Sequence, residues 1–123
     1  MKTGRWLTWI GSVVLFLTGL GHGAKFAQLQ GMIQASSIKA PLDGIMRACW
    51  LVFSGEMVAL AVIAMVASAM ADGGRFVLIC AVTMFLNAGI VLYFLGPSFP
   101  VYVSSVVAVL FLAGGLMQAK QAA

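Results

Sequence analysis

Three acidic side chains occur in the 123 residues, and one of them, Glu56, stands inside an apolar run. Its surroundings read Leu51, Val52, Phe53, Ser54, Gly55, Glu56, Met57, Val58, Ala59, Leu60. A carboxyl group among such neighbours can hold a proton, accept a hydrogen bond or engage the polar head of an otherwise apolar molecule. Asn87 stands in a similar apolar setting further along the chain. It is the natural partner if the two runs are antiparallel neighbours, because both residues fall close to the midpoints of their runs. A hydrogen bond between two helices, about 0.6–2 kcal/mol in a membrane, is the purely structural reading of that pair. A ligand- or proton-binding site is the functional one. Ser54, two residues before Glu56, points to a different side of the same helix.

His22 is the chain's one histidine, in the sequence Gly19-Leu20-Gly21-His22-Gly23. It ends the first apolar run, so it is expected beside the start of the second, near Arg47 or Trp50. Its expected depth is a few helical turns above Glu56. A lone histidine with no Cys or carboxylate at ligand spacing makes no metal site, and no metal is expected. It reads either as an interfacial ring satisfied by backbone and water, or as a pH-responsive gate at a ligand mouth. Tyr93 and Tyr102 flank Gly96-Pro97-Ser98-Phe99-Pro100 and can line the same mouth. The eight Met include Met57, Met65, Met70 and Met84, none in the tight runs that suit Cu(I), so they read as core filling. Cys49 and Cys80 are expected about 20 Å apart in depth, beyond disulfide reach. No Ser-His-Asp order, paired carboxylates, phosphate loop or CxxC is present.

The elements that position these side chains follow from composition. Hydrophobic residues make up 63% of the chain and charged ones 8%, against about 25% charged in soluble domains. A single core in so short a chain cannot hide that much apolar surface from water. An all-α integral membrane four-helix bundle is therefore expected, as one membrane domain over residues 1–123. Spans are expected at about 6–22, 45–70, 76–95 and 101–117, judged against the ~20 residues that cross the hydrocarbon. Asp72-Gly73-Gly74-Arg75 and the Gly96–Pro100 stretch supply the sharp breaks. Residues before Ala24 and Lys25 make a poor leader-cleavage site, so the first run is expected to remain as a span.

Between the first two spans lies a Gln-bearing stretch with Phe26, Leu29, Met32 and Ile33 at helical spacing. It reads as a short interfacial amphipathic helix or as a solvated loop. Ala40-Pro41-Leu42-Asp43 reads as the lead-in and N-cap of the second span. The net charge of +4 is spread over seven scattered Lys and Arg, which suits interfacial anchors rather than a nucleic-acid face. Lys2, Arg5, Arg75 and Lys120 fall on one side, Lys25, Lys39 and Arg47 on the other. The excess favours both termini in the cytoplasm, and a bacterial inner membrane is the expected location. Close packing is expected from small residues: Gly4, Gly11 and Thr18; Gly55 and Ala59; Ala61, Ala64, Ser68 and Ala71; Ala81, Ala88 and Gly89; Ser104, Ala108 and Gly115.

The pattern Arg5…Phe16-Leu17-Thr18-Gly19-Leu20-Gly21-His22-Gly23-Ala24-Lys25-Phe26 resembles the opening of DoxX-like small membrane proteins. Ser54-Gly55-Glu56-Met57, then Gly74-Arg75 and Met84, are similar to that family's pattern as well. The resemblance covers most of residues 5–90. The Gly-His-Gly insertion and the long Gln-bearing stretch depart from it. It implies a four-helix membrane bundle in which Lys25, Glu56 and Arg75 are the family-like positions.

Three functional classes fit these residues. The first is a non-catalytic binding or partner subunit, in which Glu56, Asn87, His22, Tyr93 and Tyr102 engage a small apolar or amphipathic ligand such as a quinone or lipid. Its partners would be membrane lipid, a second copy of the chain or another membrane protein. The second is a proton-coupled small-molecule transporter acting as a dimer. The third is a redox-associated intramembrane subunit with Glu56 and His22 as acid and base.

Overall fold

The computed structural model describes residues 2–122. The described residues form five helices: α1 (Lys2–Ala24), α2 (Phe26–Ala35), α3 (Leu42–Ala69), α4 (Gly73–Leu95) and α5 (Phe99–Ala122). With 23, 28, 23 and 24 residues, α1, α3, α4 and α5 reach about 35–42 Å at 1.5 Å per residue. All four are long and apolar enough to cross a membrane. Each extends beyond its expected span, because the polar residues at the ends continue the helix instead of breaking it.

The four long helices form an antiparallel bundle with neighbours in the order α1, α3, α4, α5. The start of α1, the α3–α4 turn and the end of α5 share one end, here the base. The opposite end is the top. The α4–α5 contact is the most extensive, followed by α1–α3 and α1–α5, while α3 and α4 form the loosest seam. Leu15, Met57, Ala64, Val77, Met84 and Phe111 fill the interior. Outward-facing Leu17, Val52, Ile79 and Leu86 are exposed and apolar, as hydrocarbon requires and water would not tolerate.

Small residues carry much of this packing, though not all of those expected. Gly4, Gly11, Ala61, Ala64, Ser68, Ala81, Ala88, Ser104, Ala108 and Gly115 are buried. Gly19, Gly74 and Gly114 join them at helix contacts. By contrast, Gly55, Ala59 and Gly89 are exposed, with open space around both glycines. Their face of α3 and α4 looks outward. Ala71 lies exposed in the turn.

Two connections need glycine. Gly96, with φ of +66°, ends α4 while its N–H returns to the Leu92 carbonyl at 2.9 Å. A side chain at Gly73 would collide with the Ala67 carbonyl, so the α3–α4 turn stays tight only with glycine there. The stretch after α1 is a ten-residue helix rather than a loop: α2 follows a break at Lys25 and buries Ile33. Met32, on the same expected apolar face, is 65% exposed. Asp43 is not the cap of α3. Pro41 occupies that position without a side-chain bond, and Asp43 stands in the first turn, 3.8 Å from Arg47 one turn on.

Candidate functional site

The midpoint pairing of α3 and α4 brings Glu56 and Asn87 together. Asn87 Nδ2 donates to Glu56 Oε1 at 3.1 Å across the seam. Both side chains are half-buried. Among the described residues Glu56 Oε2 has no bonding partner, nor does Asn87 Oδ1. The pair therefore keeps acceptor capacity for a third group. It lies where the bundle is least tightly closed, beside the open faces of Gly55 and Gly89. An amphipathic molecule lying in the bilayer can approach a polar pair in that position from the side.

His22 occupies the other flank of α3. Its Nδ1 lies 2.7 Å from Ser54 Oγ. The Ser54 hydroxyl donates to the Trp50 carbonyl, one turn back, at 2.9 Å. A hydroxyl has one proton, so with that proton committed Nδ1 carries the imidazole's hydrogen and donates to Ser54. The Trp50 indole stacks on the imidazole at 3.9 Å between centroids, and Phe53 meets it edge-on at 5.4 Å. Trp50 Nε1 also donates to the His22 carbonyl at 2.8 Å. Gly19 lets α1 lie directly against the α3 backbone at Ser54.

These contacts correct the expected depth of His22. Ser54 precedes Glu56 by two residues, about 3 Å of helix rise. His22 and Glu56 thus lie at nearly one level, not several turns apart. They are separated by orientation: Ser54 turns to α1 and Glu56 to α4. Tyr93 and Tyr102 do not join His22 at a mouth. They are 83% and 61% exposed, and Tyr93 packs edge-on against its neighbour Phe94. Both rings point away from the bundle, as interfacial aromatics do. Lys25 and Arg75 are exposed, and no contact among the described residues links either to Glu56.

The base of the bundle holds a polar cluster built from residues whose joint role the sequence does not display. Arg5 Nε donates to the Ser68 carbonyl at 2.9 Å, and Trp9 Nε1 donates to Ser68 Oγ at 3.1 Å. Ser68 is buried and passes its own proton to the Met65 carbonyl. Gln118 Nε2 reaches Thr8 Oγ1 at 2.9 Å and lies within bonding distance of the Gly4 and Gly114 carbonyls. A guanidinium at the carbonyl end of α3 also complements the helix dipole. The signal in the sequence was indirect. Arg5 and Ser68 share a level only once α1 and α3 are placed antiparallel.

Met57 and Met84 are core residues. Cys49 is exposed, Cys80 is buried, and both are free thiols. Among the described residues no three His, Cys, Asp or Glu side chains gather as a metal site.

The fold and site define an integral membrane protein: a four-helix bundle carrying one carboxylate–amide pair in its loosest seam. Comparison with protein-family models, curated proteins and solved structures finds no match to this chain.

Proposed function

We propose that this protein is a non-catalytic membrane binding or partner subunit whose α3–α4 seam engages a small apolar or amphipathic ligand, a quinone or a lipid, at Glu56 and Asn87. The observation that carries the reading is the half-buried Glu56–Asn87 bond at mid-span. A few polar groups in an apolar surrounding are the usual makeup of such sites, and ionisable groups inside a membrane default to function. The DoxX-like resemblance supports the same reading at Glu56. The charge excess on the base supports an orientation with both termini in the cytoplasm.

The test is extraction and mass spectrometry of lipids and quinones that co-purify with the wild type, Glu56→Gln and Asn87→Leu. A ligand retained by the wild type and depleted in both variants is expected. Unchanged co-purification, together with no partner recovered by crosslinking, overturns the reading.

A second reading, a dimeric proton-coupled transporter, draws on one observation. Exposed Gly55, Ala59 and Gly89 beside the Glu56–Asn87 pair would let a second copy approach closely. Proton-coupled flux in liposomes that disappears in Glu56→Gln supports it, and absent flux removes it. The redox-subunit reading draws no support from His22 and Glu56 as an acid–base pair, since they face opposite flanks of α3.

A further inference from the structure

The base of the bundle carries a cleft of about 450 Å³ that the Glu56 reading does not use. Arg5, Ala69, Asp72, Gln118 and Gln121 line it, together with the turn residue Met70. Two features set its chemistry. Arg5 commits its Nε to the Ser68 carbonyl, and among the described residues its two terminal nitrogens have no bonded partner. Asp72 faces the same cleft, is exposed, and forms no ion pair among the described residues. A cation and an anion thus share one cleft without meeting. The carbonyl end of α3 is engaged by Arg5, and Asp72 stands at the N-cap of α4 with no side-chain cap bond.

A simple anion entering the cleft would meet Asp72, and a simple cation would meet Arg5. A dipolar group satisfies both ends. The cleft also adjoins an apolar groove of about 330 Å³ along α3 and α4, lined by Val62, Ile63, Val66 and Phe76. Met70 lines the cleft and the groove alike. Trp6 and Trp9, exposed near the start of α1, mark the level at which headgroups lie.

From this juxtaposition we propose that the base binds a phospholipid with a phosphoethanolamine headgroup. The phosphate is held by the terminal nitrogens of Arg5, the ammonium by Asp72, and an acyl chain lies in the Val62–Phe76 groove. The site is separate from Glu56 and stands or falls independently of it.

The test is native mass spectrometry of the full chain in detergent, titrated with phosphatidylethanolamine, phosphatidylglycerol and phosphatidylcholine of matched acyl chains. Glycerophosphoethanolamine, which has the headgroup without the chains, serves as competitor. The wild type is expected to prefer phosphatidylethanolamine over phosphatidylglycerol by about three- to fivefold, the scale of one solvent-exposed charge pair, and over phosphatidylcholine because a trimethylated ammonium has no N–H to donate to Asp72. Asp72→Asn is the decisive variant, because this side chain has no bonded partner among the described residues. It should erase the preference over phosphatidylglycerol. Arg5→Gln should weaken all three lipids, and Val66→Trp should weaken the lipids by filling the groove. Equal or tighter binding of phosphatidylglycerol by the wild type overturns the proposal, as does a preference that survives Asp72→Asn. Glycerophosphoethanolamine competing at the lipid's own concentration would show a soluble-ligand site and also overturns it.

Discussion

Gly114→Ala adds one methyl group at the contact between α5 and α1. The new carbon would stand 2.5 Å from Thr8 Oγ1, 2.8 Å from the Gly4 carbonyl and 3.1 Å from the Thr8 nitrogen. Comfortable carbon contacts begin at about 3.5 Å, so α1 must retreat by roughly 0.5–1 Å at that point. Two of the three obstructing atoms are backbone, which cannot rotate aside. Overpacking of this kind costs about 1–3 kcal/mol. Alanine returns about 0.5–1 kcal/mol through its better helix propensity. The Thr8–Gln118 bond at 2.9 Å lies in the path of the retreat, so the net loss should be about 1–2 kcal/mol. Gly55→Ala is the matched control, since a methyl there meets nothing within 4 Å. It should be neutral or stabilising by up to about 1 kcal/mol. Unfolding in detergent micelles, followed by circular dichroism against added dodecyl sulfate, reads both variants on one scale. Gly114→Ala matching the wild type, or Gly55→Ala proving equally damaging, would refute the packing asymmetry on which the open α3–α4 seam depends.

Asn87→Leu should lose about 0.6–1.7 kcal/mol of stability in the same assay, the range measured for single interhelical bonds in membranes. Glu56→Gln should lose less, because the amide oxygen can still accept from Asn87 Nδ2. Ser54→Ala should cost about 1 kcal/mol by removing the partner of His22 Nδ1, and His22→Ala should change the emission of Trp50, whose indole stacks on the imidazole. An emission spectrum insensitive to His22 would contradict that stack. A maleimide should label exposed Cys49 in the folded protein and reach buried Cys80 only after denaturation, with mass spectrometry counting the adducts.

The span-forming residues and the Glu56–Asn87 bond were legible because each rests on a one-dimensional property. Apolar length marks a span, and two midpoints in antiparallel neighbours must meet. What remained hidden depended on rotation about helix axes. The small residues Gly55, Ala59 and Ala61 are equally suited to packing, yet only Ala61 turns inward. His22 meets Trp50 as expected, but Trp50 and Ser54 stand within about two turns of Glu56 on α3, so the ring sits closer to the Glu56 level than the few turns expected. Tyr93 and Tyr102 flank the α4–α5 connection as read, but proximity in sequence says nothing about where their rings point. The cluster of Arg5, Trp9, Ser68 and Gln118 joins three helices distant in the chain, and no spacing rule connects them.

The two tethers between α1 and α3 have a mechanical consequence. Arg5 and Trp9 fasten one end through Ser68, and His22 fastens the other through Ser54 and Trp50. A rod pinned at both ends cannot swing away from its neighbour without breaking bonds at one of them. The α5 helix, wedged against α1 and α4 through glycine contacts, has no more freedom. Whatever breathing the molecule undergoes is therefore channelled to the remaining edge, where among the described residues a single amide–carboxylate hydrogen bond spans the gap.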